Sequence, residues 1–200
     1  CPSRELLGSR LEKCSIIVAA DSGLGHAAEL GLEPTDIVGD FDSVGKELML
    51  TFPQITRHSY STEKDETDTE LGIELLRERG AETVHLVGGG GGRLDHLYAL
   101  LCLFQRPNPP DHWYTHREHI QCITGSARIV LPVNKRVSFF PLGRGVCRMR
   151  SRGLQWPLDS LRWNIGDFGV SNRTTAEVVE VDMIEGKLIM MYDLASEDRP

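Results

Sequence analysis

Residues 39–48 read GDFDSVGKEL and place Asp40 and Asp42 one residue apart, directly after the short apolar run DIVG. Two carboxylates this close repel each other, and desolvating either is costly unless something positive sits between them. A divalent metal with a preference for oxygen ligands is the usual solution, and Mg²⁺ shared with a phosphate is its commonest form. Further acidic groups fall at corresponding places. Asp21 follows the run SIIVAA, Asp65 and Asp68 open a helical pattern beginning at Thr67, and Asp95 follows a run of glycines. A single aspartate in a strand-to-helix loop is often just a helix cap. Four such loops together point to one rim where metal and phosphate meet. The D-x-D spacing also serves nucleotide-sugar transferases, so it identifies metal plus phosphate better than it identifies a reaction.

The stretch VGGGGGRLDH, residues 87–96, puts five glycines between a strand pattern and a helix pattern. Glycine lets backbone N–H groups approach phosphate oxygens, and a helix start adds its dipole. The stretch is neither a Walker A loop nor a G-x-G-x-x-G fingerprint. Arg93 could clamp phosphate bidentately, and His96 could touch phosphate or cap its helix. The plainer alternative is a flexible surface loop. In HWYTHREH, His112, His116 and His119 have metal-like spacing, but prolines at 107, 109 and 110 argue against a helix there. The segment therefore reads as a solvated loop.

The elements that must position these groups emerge from periodicity. Residues 3–14 suggest a helix capped by Ser3, with Leu6, Leu7 and Leu11 on one face. Residues 15–20, 36–39 and 83–88 are short, apolar and bounded by turn residues, as buried parallel strands are. Thr67 caps a helix running to about Arg79, with Gly80 at its C′ position. After the prolines the pattern is one of short strands only, separated by Gly, Pro and Asn turns. The expectation is an α/β protein: a parallel-sheet nucleotide-binding domain over residues 1–115, then an all-β sandwich domain over 116–200.

Composition sets the outer bounds. The 200 residues are 40% apolar and 26% charged, which is ordinary for a globular chain. With 22 Lys+Arg against 29 Asp+Glu there is no basic footprint for nucleic acid. Five scattered cysteines without a C-x-x-C pair argue against a disulfide framework or zinc knuckle and for a reducing, cytoplasmic setting. No apolar run has the roughly 20 residues of a membrane span, and the N-terminus lacks a signal-peptide layout.

Five ordered stretches, ADSGLGHAAELGLEPTDIVGDFDSV, STEKDETDTELGIELL, GGGRLDHLYALL, GLQWPLDS and GVSN, resemble thiamine pyrophosphokinases, especially the bacterial form. The resemblance implies a homodimer that moves a pyrophosphoryl group from ATP to the hydroxyl of thiamine and releases AMP. It implies that Asp40, Asp42, Asp68 and Asp95 hold metal, with Asp42, Asp68, Arg93 and Asp95 central to catalysis. Asp21, Lys64, Asp65, Thr67 and His96 match the family's nucleotide-end positions, while Trp156, Ser171 and Asn172 match those near thiamine. Family members often read D-G-G-A-N where this chain has DSGLG, so one polar contact is lost at that corner. They also begin with a strand ahead of the first helix, which is expected to be missing here. Two other readings compete: a metal-dependent glycosyltransferase, which leaves the C-terminal half without a task, and a non-catalytic thiamine or nucleotide sensor.

Overall fold

In the computed structural model, residues 1–61, 63–164 and 166–195 are described. Two of the apolar runs become the parallel strands β1 (Val18–Ala20) and β2 (Asp36–Gly39), and the polar, largely exposed β3 (Thr56–Ser59) pairs beside β2 in the order β1-β2-β3. β2 is buried along its whole length, which its unbroken DIVG pattern requires. Around this sheet lie α1 (Arg4–Leu7), α2 (Gly23–Glu29), α3 (Lys46–Leu50) and α4 (Asp68–Glu78). Ser3 caps α1 as expected, accepting the Leu6 N–H at 3.2 Å. The helix is shorter than its leucine spacing suggests, because Gly8 takes φ 53° and the chain continues as a 3-10 turn, Gly8–Leu11. At α4, Thr67 and Glu70 form a complete capping box. Leu71, Gly72 and Ile73 are buried, and Gly72 lies against Val18 and Val38.

The next strands are β4 (His85–Val87), β5 (His112–Tyr114), β6 (Glu118–Ile123), β7 (Ser126–Val130), β8 (Arg136–Leu142), β9 (Arg148–Arg152), β10 (Gly169–Arg173), β11 (Val178–Glu185) and β12 (Lys187–Asp193), with α5 (Leu94–Leu103) between β4 and β5. A six-stranded sheet has the order β10-β8-β12-β6-β5-β4, and a three-stranded antiparallel sheet the order β7-β11-β9. Ile123, Val137, Phe139, Met149, Val179, Val181, Leu188 and Met190, from both sheets, share one core. The protein is thus mixed α/β with several sheets.

Two expectations are corrected here. The strand at 83–88 does not extend the first sheet: β4 pairs in parallel with β5, which turns into β6, so it belongs to the six-stranded sheet. Secondly, HWYTHREH is not a solvated loop. It forms β5 and the start of β6, burying Trp113, Tyr114 and His119. The prolines end the preceding segment and leave β5 intact, and the alternation of imidazole with aromatic rings suits a strand. His112 Nδ1 lies 3.0 Å from His119 Nε2, and His119 Nδ1 lies 2.6 Å from the Tyr192 hydroxyl.

Candidate active site

The carboxyl end of β2 is built around a turn. Gly39 takes φ 142° and Phe41 φ 64°, and Asp40 Oδ1 accepts the Asp42 N–H at 3.2 Å. The left-handed Phe41 packs its ring against the core of the first sheet, leaving both aspartates on the solvent side. Asp21, at the end of β1, is also left-handed with φ 45°. Carboxylate oxygens of Asp21, Asp40 and Asp42 all lie within 4.8 Å of one another. Asp40, then partial desolvation, a hydrogen bond with Asp40 and the charge of Asp21 hold the Asp42 carboxyl above its ordinary range. Ser43 Oγ donates to Asp21 Oδ2, while Asp21 Oδ1 is buried without a hydrogen-bond partner.

An orphaned buried carboxylate oxygen beside two further carboxylates fits an oxygen-loving divalent cation. Asp68 joins this corner from α4. A Cβ placed on Gly39 would stand 3.3 Å from both the Asp21 Cβ and the Asp68 Cγ. Lys64 Nζ donates to Asp68 Oδ1 at 2.6 Å. Gly39→Ala is therefore expected to lower activity about 10-fold or more, by wedging Asp21 from Asp68 and straining a positive φ, at a stability cost of about 1–3 kcal/mol. Steady-state release of AMP, the product that the family resemblance implies, together with thermal melting would check it; an active, unshifted variant would show that the contact is unimportant.

A cavity of about 630 Å³ opens beside this cluster. Its polar rim includes Asp21, Thr67, Asp68, Arg93 and His96, and its glycines include Gly88 and Gly89, at φ 96° and 71°. The Trp113 indole N–H donates to the Gly88 carbonyl at 2.6 Å and anchors the start of the glycine loop. Arg93 is bound to Asp95 through Nε at 3.1 Å and Nη2 at 2.5 Å, which raises the arginine's pKa and lowers the aspartate's. Both side chains are well exposed, at 72% and 62%. Asp95 also accepts the His96 N–H.

The expected residues therefore fall into three groups. Asp21, Asp40, Asp42 and Asp68 come together, with Lys64 bound to Asp68 and Thr67 capping its helix. Arg93 and His96 face the cavity, while Asp95 is tied to Arg93 and stands apart from the Asp21–Asp40–Asp42 cluster. Asp65 lies in the bend before α4 and is exposed. Trp156, Ser171 and Asn172 form a third group. Trp156 is 55% exposed, and the buried Asn172 brackets it by accepting the Trp156 N–H and donating to its carbonyl. Ser171 sits beside them at φ 62°. Among the described residues, those lining the cavity all lie between Leu11 and Arg106, so this third group does not reach it. Two site residues escape the sequence reading. Ser43 is legible as the last residue of GDFDS, whereas His26, which lines the cavity against Gly88, carries no local signal.

Clustered carboxylates and a glycine-rimmed cavity at the carboxyl ends of parallel strands mark an enzyme that handles a polyphosphate. The comparisons specify it further. Residues 7–112 match the family model "Thiamin pyrophosphokinase, catalytic domain" and residues 126–188 match "Thiamin pyrophosphokinase, vitamin B1 binding domain". The chain belongs to the thiamin pyrophosphokinase family, enzymes that transfer pyrophosphate from ATP to thiamine. It is 26% identical over 182 residues to the thiamine pyrophosphokinase of Bacillus subtilis, covering 87% of this chain and 85% of that protein. The thiamin pyrophosphokinase structure from Geobacillus thermodenitrificans is similar with a TM-score of 0.75 and 26% identity, over 98% of this chain and 95% of that one. The B. subtilis structure, at 20% identity and a TM-score of 0.81 over 98% and 97%, shares the fold. The glycosyltransferase and sensor readings have no support among these relatives.

Proposed function

We propose that this chain makes thiamine diphosphate and AMP with Asp21, Asp40, Asp42 and Asp68 as the carboxylates that hold Mg²⁺ on the polyphosphate. The observation that carries this reading is the meeting of Asp21, Asp40 and Asp42 oxygens within 4.8 Å, with one oxygen of Asp21 unsatisfied. Asp95 belongs to the same reading as the partner that orients Arg93 and, once Arg93 turns to phosphate, as a further acidic ligand. Bound Mg²⁺ would neutralise polyphosphate charge, the principal requirement of this chemistry. The chain's own residues do the rest. Lys64 and Arg93 bind phosphate oxygens and balance the charge that grows on the bridging oxygen as AMP leaves. The glycine loop and His96 seat the nucleotide, with Thr67 capping α4 and the exposed Asp65 beside it at the nucleotide end. The thiamine hydroxyl oxygen forms its bond to the β-phosphorus while the α–β bridging bond breaks, and the hydroxyl proton passes to a carboxylate of the cluster.

The thiamine end is the group around Trp156. An exposed indole stacks on a planar cation with about 0.5–2 kcal/mol, and Ser171 and the Asn172-braced loop present it. Because these residues lie outside the cavity lining, a homodimer in which one copy's Trp156 group meets its partner's cavity satisfies both halves of the reaction. The two family matches support a division into an ATP-binding unit over 1–115, with its parallel sheet, and a thiamine-binding β-sandwich over 116–200. Among the described residues no helix is long and apolar enough to cross a membrane, and a cytoplasmic setting suits an ATP-using enzyme with five free cysteines.

Thiamine is expected to quench the intrinsic tryptophan fluorescence, and Trp156→Ala to abolish that quenching. Trp113 and Trp163 are buried, at 1% and 7% exposure, so the signal reports on Trp156. Equal quenching in both proteins would remove Trp156 from the thiamine site.

A further inference from the structure

α4 and β2 lie side by side and run in opposite senses. α4 carries Asp68 at its first residue and Arg79 at its C-cap; β2 carries Asp36 at its first residue and leads out through Gly39 to Asp40. At the far end the Arg79 guanidinium grips Asp36 with both arms, Nη1 to Oδ2 at 2.5 Å and Nη2 to Oδ1 at 2.6 Å. Asp36 is fully buried and its remaining capacity is filled, by His58 Nε2 at 2.8 Å and Thr35 Oγ1 at 2.7 Å. In the middle, Gly72 lets the helix settle on Val18 and Val38. At the catalytic end only the missing Cβ of Gly39 separates the strand from Asp68.

The two rods are rigid and of comparable length. The helix rises about 16 Å from Asp68 to Arg79 at 1.5 Å per residue, and the strand about 13 Å from Asp36 to Asp40 at 3.3 Å per residue. Fixing one end therefore sets the other, and a one-residue slip of α4 would turn Asp68 by about 100° away from the cluster. We propose that Arg79 is a positioning residue, whose bidentate grip on Asp36 sets the register of α4 on β2 and so places Asp68 beside Asp21, Asp40 and Asp42. The inference rests on the metal role given to those aspartates above.

Arg77 provides a matched control at the same helix end. It grips the segments leading into β4 and β5, bonding the Ala81, Glu82 and Pro109 carbonyls and Asp111 Oδ2, which also accepts the Val84 N–H. A planar fork is what lysine cannot reproduce. Mn²⁺ binding to the full chain saturated with α,β-methylene ATP, monitored by electron paramagnetic resonance, is the direct readout, with AMP formation against Mg²⁺ alongside. Arg79→Lys is expected to bind Mn²⁺ about 10-fold more weakly, as loss of a ligand-orienting contact does, and to need correspondingly more Mg²⁺ with KM for thiamine unchanged. Arg77→Lys is expected to stay within about 2-fold of wild type on the same reasoning. Should Arg79→Lys melt too early to measure, the charge-neutral pair Asp36→Asn with Arg79→Gln takes its place with the same expectation. Wild-type Mn²⁺ affinity in the Arg79 variant, where Asp42→Asn has lost it, overturns the proposal alone. Wild-type affinity in Asp42→Asn itself overturns the metal reading beneath it.

Discussion

Asp42→Asn is expected to lower AMP formation from ATP and thiamine by about 10³-fold or more, some 4 kcal/mol of barrier, while leaving the fold intact. The side chain is exposed, and its pKa is raised chiefly because Asp40 stands beside it. An amide keeps the shape but removes a charge that bound metal needs and that the metal-free protein merely endures. The same substitution is therefore expected to leave the melting temperature unchanged or slightly higher, since a like-charge repulsion has gone. Activity and thermal melting separate the two effects. A variant that retains full activity sinks the role of Asp42, and one that loses activity by unfolding shows that the turn, not the charge, was essential.

The second large effect is expected in acid. Burial pushes the His119 pKa down to about 3, with the charges of His112, Arg10 and His85 adding to the effect, and burial followed by the charge of His85 pushes that of His112 down to about 4. Asp111 acts in the opposite sense on His112. Above about pH 6.5 an unfolded histidine is neutral too, so nothing is lost there. Below it the unfolded chain takes up protons that the folded one refuses, and stability falls as pH drops towards 4. The loss between about pH 7 and 4.5 is expected to be about 5 kcal/mol for the two histidines together. Urea denaturation at the two pH values measures it, and His119→Gln should remove about half of the difference. An unchanged pH dependence in that variant would show that the pair remains neutral without cost. Because the pair spans β5 and β6 and bonds to β12, the strands most exposed to acid are those that join the two family-matched segments.

Legibility in the sequence varies with the range of the interaction. The capping box at Thr67, the buried DIVG strand, the glycine loop and the grouping of acidic residues near strand ends all depend on neighbours a few residues apart, so type and spacing are enough. The histidine strand is hidden from such a reading because its burial depends on β12, more than 70 residues away. The placement of β4 is hidden for a similar reason: a short apolar run suits any parallel pairing, and only the turn from β5 into β6 assigns it to the six-stranded sheet.

By itself the chain's order of residues determined the chemistry on offer: carboxylates in D-x-D, an arginine after glycines, a tryptophan in GLQW, and the α/β character of the elements bearing them. Tertiary structure decided which of those groups meet. Asp21, Asp40 and Asp42 converge while Asp95 turns to Arg93, Asn172 spends its amide holding Trp156, and the Trp156 group stays clear of the cavity lining. The physical reason is that helix and strand periods act within a few residues, whereas convergence depends on how separate rods pack, through contacts such as Arg79 with Asp36 that local spacing does not encode.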